Sequence, residues 1–128
     1  MRTRQPALVV HGLSFPAARV PMAIRRTREN PEEHFLQKVV SFARLYGWDY
    51  HHEHDSRRST PGWPDLELVR GQRHIRAELK VHESDRELKG EQRRINEVLR
   101  QVPGLEVYVW TPRDLDSGLI THILARRT

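Results

Sequence analysis

Asp65, Glu78 and Lys80 are the residues of this chain whose types and spacing could do chemistry together. They belong to residues 62–80, which read Gly-Trp-Pro-Asp-Leu-Glu-Leu-Val-Arg-Gly-Gln-Arg-His-Ile-Arg-Ala-Glu-Leu-Lys. Gly71-Gln72, between Arg70 and Arg73, suits the two-residue loop of a β-hairpin, with glycine first as in a type II′ turn. That loop sets Asp65 opposite Glu78, Leu66 opposite Ala77, Glu67 opposite Arg76 and Leu68 opposite Ile75. Leu66, Leu68, Ile75 and Ala77 then share one face, and Asp65, Glu78 and Lys80 share the other. Directly opposed residues bring their Cβ atoms to about 4.5–5.5 Å, where like charges repel. A divalent cation between the two carboxylates, with a lysine alongside, offsets that repulsion.

Carboxylate, carbonyl and water ligands suit magnesium or manganese rather than zinc. Asp65 and Glu78 are the expected ligands, with the backbone carbonyl of Leu79 as a further one. Such an ion polarises a phosphoryl oxygen and lowers the pKa of a bound water. The Lys80 ammonium is placed to orient an attacking water or to stabilise charge developing on phosphorus. Two more polar residues stand where an apolar stripe calls for something else. Gln92 interrupts the stripe of one helix and must find partners if it faces the sheet. Glu32 heads the stripe of another helix and could complete an acidic site, with Glu33 as its rival. Each of these has a plainer reading: a Glu-x-Lys pair as a solvated strand face, Glu32 as a complement to the helix dipole, Gln92 as a residue at the edge of its stripe.

The elements that must position these groups are legible from periodicity. Asn30-Pro31-Glu32-Glu33 is a helix start, with Asn as N-cap, Pro at the first helical position and acids in the first turn. Phe35, Val39, Phe42, Ala43 and Tyr46 form its apolar stripe, and Gly47 ends it. Residues 48–54 suit a strand and 55–63 a polar loop, followed by the hairpin. A charged loop leads to a second helix over about 89–102, with the stripe Leu88, Gln92, Ile95, Leu99 and Val102, ended by Pro103-Gly104. Leu105 to Trp110 alternates as a strand, and 114–126 reads as a final helix. The expected class is α/β, a mixed central sheet of about four strands flanked by helices in the order αβββαβα. The helix between the third and fourth strands permits a crossover connection.

Pro64-Asp65 followed by Glu78-Leu79-Lys80 resembles the PD-(D/E)xK nuclease signature. With Glu32 ahead and Gln92 behind, the ordered set resembles the VRR-NUC family, especially its small stand-alone members from phage and bacteria. Gly62-Trp63-Pro64-Asp65-Leu66, Ala77-Glu78-Leu79-Lys80, Val107-Tyr108-Val109-Trp110-Thr111-Pro112 and His52-Glu53-His54-Asp55-Ser56-Arg57-Arg58-Ser59 are similar to that group. The likeness spans roughly residues 30–125. It implies a restriction-endonuclease-like core and metal-dependent hydrolysis of DNA phosphodiesters. Asp65, Glu78 and Glu32 would be ligands of Mg²⁺ or Mn²⁺, Lys80 the catalytic lysine, and Gln92 the glutamine of the second helix. The stand-alone members are associated with cleavage of Holliday junctions as homodimers, so branched DNA and a second copy of the chain are the implied partners. Flap cleavage or general nicking by the same core is an alternative, and a non-catalytic nucleic-acid-binding module another. The chain departs from the family at Lys89-Gly90, where Ser/Thr-Pro often precedes the helix.

His51, His52, Glu53, His54 and Asp55 invite comparison with a zinc site. Only His52 and His54 share a strand face, which is half a site, and no further histidine has suitable spacing. His52, His54, Ser56, Arg57 and Arg58 are better candidates for DNA contact, the histidines also for lining the rim of the metal cleft and the arginines for positioning phosphate; a solvated basic loop is the plainer alternative.

Composition agrees with a polyanionic partner. The chain has 128 residues, 30% of them charged, and a formal net charge of +5, enough for one domain and suited to nucleic acid. It has no cysteine, which excludes a disulfide framework and thiolate metal sites. No apolar run spans a bilayer, and Ala7-Leu8-Val9-Val10 is too short for a signal-peptide core, so a cytoplasmic protein is expected. Residues 1–29, with three prolines and scattered arginines, read as a poorly ordered basic arm ahead of a domain over 30–128. The arm either adds phosphate contacts or is dispensable.

Overall fold

The structure, a computed structural model, describes residues 7–10, 13–16, 30–53 and 60–127. Strands β1 (Ala7–Val10) and β2 (Leu13–Pro16) pair antiparallel as a separate two-stranded sheet. The reading of 1–29 as an unstructured arm contained no such pair: the β-branched valines at 9 and 10 favour a strand, but four residues are too few to show a period. The rest of that arm lies outside the described residues.

Helix α1 (Pro31–Leu45) begins as its sequence dictates. The Asn30 side chain accepts a hydrogen bond from the Glu33 backbone N–H at 3.1 Å, and Gly47, at φ 88°, supplies the left-handed residue that ends the helix. Strand β3 (Asp49–His52) is shorter than the 48–54 expected. Trp48, at the start of that range, is pulled into the core instead, where its indole N–H donates to the Leu124 carbonyl at 2.9 Å. Strands β4 (Leu66–Arg70) and β5 (Arg73–Leu79) form the hairpin, and their register pairs Leu66 with Ala77, Glu67 with Arg76, Leu68 with Ile75 and Arg70 with Arg73. Gly71 takes φ 60°, a value a side chain would strain to adopt.

A 3-10 turn at Glu83–Asp85 leads to helix α2 (Gly90–Leu99), which stops three residues before the expected 102. Val102 is exposed instead of closing the stripe; Arg100 caps the helix and the chain turns there toward Gly104. The Lys89 side chain makes no capping hydrogen bond, in keeping with the weak start that Lys89-Gly90 offers. Strand β6 (Leu105–Trp110) follows as expected. The single helix anticipated over 114–126 is two, α3 (Pro112–Asp116) and α4 (Leu119–Ala125). Gly118, at φ 86°, breaks them, and the Thr111 backbone N–H donates to Asp114 Oδ2 at 3.0 Å to fix the start of α3 two residues earlier.

The main sheet runs β3-β4-β5-β6, antiparallel except for the parallel β5–β6 pair that the α2 crossover allows. The molecule is thus α/β, with a mixed four-stranded sheet between helices. Leu66, Leu68, Ile75 and Ala77 are fully buried with Phe35, Val39 and Ala43 of α1 and Ile120 and Leu124 of α4. Each large side chain buried there contributes about 1.5–3 kcal/mol. The opposite face carries a smaller cluster, Ile95 and Leu99 of α2 against Leu105 and Val107 of β6. Because α2 rests on that face, its first turn overhangs the polar end of β5. No helix among the described residues is long and apolar enough to cross a membrane.

Candidate active site

Glu78 and Lys80 sit at the end of β5, on the face that α2 covers, while Leu79 between them turns toward the main core. Asp65 stands one residue before β4. The Glu53 backbone N–H donates to its carbonyl at 3.0 Å, and the ladder begins at the next pair, Leu66 with Ala77. Asp65 therefore arrives beside Glu78 because the hairpin register carries it there.

Gln92, in the first turn of α2, closes the arrangement. Its Nε2 donates to Glu78 Oε2 at 3.1 Å, and its Oε1 accepts from Lys80 Nζ at 3.0 Å. Lys80 Nζ lies 3.6 Å from the same Glu78 oxygen. The amide thus satisfies both groups and holds the ammonium beside the acid. The Lys80 backbone N–H donates to the Trp110 carbonyl at 2.9 Å, so β6 fixes the lysine's own main chain.

Glu78 is buried, and its carboxyl is pushed from 4.5 up to about 7. Desolvation is the largest cause and the Asp65 charge the next; Lys80 pulls the other way, as does a backbone hydrogen bond with Asp65. Asp65 Oδ1 is buried and has no hydrogen-bond partner among the described residues, a costly state for a carboxylate oxygen. His52 Nε2 lies 3.4 Å from the other oxygen, Oδ2. The oxygen donor set of two facing carboxylates, with one orphaned oxygen and one acid strained by its neighbour's charge, fits a hard divalent cation. Asp65 and Glu78 would hold it. Among the described residues no group of three or more His, Asp or Glu side chains converges to hold a metal ion.

These groups open onto a cleft of about 1040 Å³. Its wall includes Glu32, His51, His52, Trp63, Leu79 and Arg76 as well as Asp65, Glu78 and Lys80. Glu32 is exposed at the head of α1; it shares the cleft but joins no three-ligand group, so its place is at the rim. Glu33, its rival, accepts from Gln37 Nε2 at 2.8 Å and is occupied within its own helix. His54, Ser56, Arg57 and Arg58, expected to contact DNA, lie outside the described residues. His52 lines the cleft: the ladder pairs it with Leu66 and leaves its ring next to Asp65, a contact with that acid that sequence spacing does not reveal. Arg76 is a second addition. Its Nη2 donates to the Pro64 carbonyl at 3.1 Å and its guanidinium stands 5.5 Å from the centroid of the Trp63 ring. The position of Arg76 on the acid face follows from the hairpin register, but its hold on the Trp63-Pro64 segment does not.

Compared with known proteins, the chain matches no family model, no curated protein and no solved structure.

Proposed function

We propose that this protein is a metal-dependent endonuclease that hydrolyses DNA phosphodiester bonds, built on a restriction-endonuclease-like core of the VRR-NUC type that its sequence resembles. The observation that carries the reading is Glu78, buried with the Asp65 charge beside it and bridged to Lys80 by Gln92. Such a group is unfavourable for stability alone, since burying like charges costs free energy that an apolar pair would not. It is explained by a cation and by chemistry at phosphate.

Asp65 and Glu78, with the Leu79 carbonyl as a further donor, would hold Mg²⁺ or Mn²⁺. When bound, the ion supplies Lewis-acid polarisation of a phosphoryl oxygen and a lowered pKa for water. Lys80 presents an ammonium already oriented by Gln92, placed to hold a water in line or to offset negative charge as it gathers on phosphorus. Glu32 at the rim serves the acidic side of the site, and His52 orients Asp65. The acids lining the cleft repel a phosphate backbone unless cations are present, while the chain as a whole carries a net +5.

Branched DNA such as a Holliday junction is the proposed substrate. Symmetric cutting of a junction needs two sites, so the active form is a homodimer related by a two-fold axis.

The decisive assay incubates the protein with four-way junction, flap, single-stranded and linear duplex DNA in Mg²⁺, Mn²⁺ or EDTA. Cleavage of the junction in either metal, lost in EDTA and in Asp65→Asn and Lys80→Ala, is the expected result. Cleavage that survives both substitutions removes this site from the chemistry. Binding of DNA with no cutting of any substrate makes the protein a binding module. Flap cleavage without junction cleavage keeps the hydrolytic chemistry and discards the junction.

A further inference from the structure

The cleft carries an aromatic side chain that the hydrolytic chemistry leaves unused. Of the three tryptophans in the chain, Trp48 and Trp110 are core residues with 3% and 1% of their surface exposed, whereas Trp63 keeps 40%. An indole left in water forgoes a large burial gain, and this one lines the same cleft as Asp65 and Glu78, two residues before Asp65.

Its position is built rather than incidental. Gly62 adopts φ 91° and runs so close to α2 that a Cβ there would lie 2.7 Å from the Glu91 carbonyl oxygen. Pro64 on the other side is buried. Between these two anchors the Trp63 ring is backed by the Arg76 guanidinium, itself tied to the Pro64 carbonyl. The chain that delivers Asp65 to Glu78 therefore delivers an indole to the cleft at the same time.

We propose that Trp63 is a stacking platform for an unpaired nucleobase beside the phosphate to be cut, so that the substrate presents a single-stranded or unstacked nucleotide there. The inference rests on the nuclease reading and sharpens its substrate class. A base inside continuous duplex has both π-faces covered by its neighbours and offers none to an indole. A base at a junction, a flap or a single-stranded run has a free face, and aromatic stacking holds it with little regard for sequence. Arg76, held by Glu67 at 3.5 Å and by the Pro64 carbonyl, backs the ring from behind and leaves its other face to the cleft. The platform thus selects for local unpairing while Asp65, Glu78 and Lys80 act on the adjoining phosphodiester.

Intrinsic fluorescence tests this directly, because Trp63 is the tryptophan that solvent and ligand reach. The wild-type protein in EDTA is titrated with labelled oligothymidylate of about 12 nucleotides, within the usual site size of single-strand binders, and with a blunt duplex of the same length. Emission and the anisotropy of the label are followed together. Quenching by the single strand and not by the duplex is expected. Trp63→Ala should weaken single-strand binding by roughly tenfold or more and leave duplex binding unchanged. Trp63→Phe should lose the quenching but keep most of the affinity, which also decides the matter if the alanine variant is unstable. Equal quenching by duplex, or single-strand affinity equally weakened in Trp63→Phe, overturns the platform. If wild type cuts DNA and Trp63→Ala binds single strands as tightly as wild type, the platform is overturned and the nuclease reading stands. If neither oligonucleotide binds while wild type cuts DNA in Mg²⁺, the platform is overturned and the nuclease reading stands.

Discussion

Gln92 on α2 donates its side-chain N–H to Oε2 of Glu78 on β5, at 3.1 Å. That bond ties α2 to the buried acid of β5, and through the amide oxygen α2 reaches Lys80 as well. The placement of the lysine is therefore a property of helix–sheet packing, with Ile95 and Leu99 setting the height of Gln92 above the sheet.

Gln92→Leu keeps the bulk of the side chain and removes both hydrogen bonds. It should lower the rate of metal-dependent cleavage by about 10–100-fold, the usual cost of losing a partner that orients site residues. Melting temperature should fall as well, because the buried Glu78 carboxylate and the Lys80 ammonium each lose the amide that satisfies them, a cost of about 1–3 kcal/mol. Single-turnover cleavage beside thermal melting of the same preparation checks the pair of outcomes.

Glu78 should make the metal-free protein more stable in acid than in base. Its folded pKa, about 7, lies above the ordinary 4.5, so the folded state holds the proton more tightly than the unfolded state. The resulting stabilisation is complete below pH 4.5, declines between 4.5 and 7, and is gone above 7. Its size is about 3 kcal/mol at most. In EDTA, Glu78→Gln should therefore raise the melting temperature by several degrees at pH 8 and leave it unchanged at pH 4. Adding Mg²⁺ at pH 8 should raise the melting temperature of wild type and not that of the variant.

Gly62→Ala meets two obstacles, a left-handed φ of 91° and the Glu91 backbone 2.7 Å from the new Cβ. Backbone strain of this kind costs about 1–3 kcal/mol. Because the segment carries both Trp63 and Asp65, activity should fall further than the loss of stability accounts for. Urea unfolding gives the first quantity and cleavage assayed at a temperature where the variant is fully folded gives the second.

Arg73 is a buried cation at the far end of β5. Nε and Nη2 donate to the two oxygens of Glu106 at 2.8 and 2.7 Å, and Nη1 donates to the Ile123 carbonyl at 3.0 Å, closing the end of α4. The guanidinium also lies 4.9 Å from the centroid of the Trp48 ring. Arg73→Ala should destabilise by about 1–3 kcal/mol, because the buried Ile123 carbonyl loses its donor, while Glu106 keeps Arg126 at 3.2 Å and the Tyr108 hydroxyl at 2.8 Å. Chemical denaturation measures the loss, and Arg73→Lys should recover only part of it, since an ammonium lacks the planar fork.

Much of the site could be read before folding because it lies on a hairpin. A two-residue turn at Gly71-Gln72 sets the pairing of every residue from Leu66 to Ala77, and alternation along a strand assigns each residue to a face. That is why Asp65, Glu78 and Lys80 could be brought together on paper and why the apolar set Leu66, Leu68, Ile75 and Ala77 is buried as expected. The cap of α1 and the inward turn of Gln92 were equally legible, since each depends on residues within one helix. Helix ends proved harder. Val102 continues an apolar period and is exposed all the same, because a period does not say where the partner surface stops. Gly118 divides the last helix because its left-handed backbone ends one helical run and starts another.

Local spacing determined the strand register, the pairing of the acids and the mixed α/β class. Only the tertiary structure decided that His52 would lean on Asp65, that Arg76 would back Trp63, and that Arg73 would reach across to Glu106 and the end of α4. The physical reason is reach. Hydrogen-bond ladders and helical turns relate residues by fixed offsets in number, whereas a guanidinium or an imidazole is satisfied by whatever acid, carbonyl or ring the packing of separate elements brings within a few ångströms.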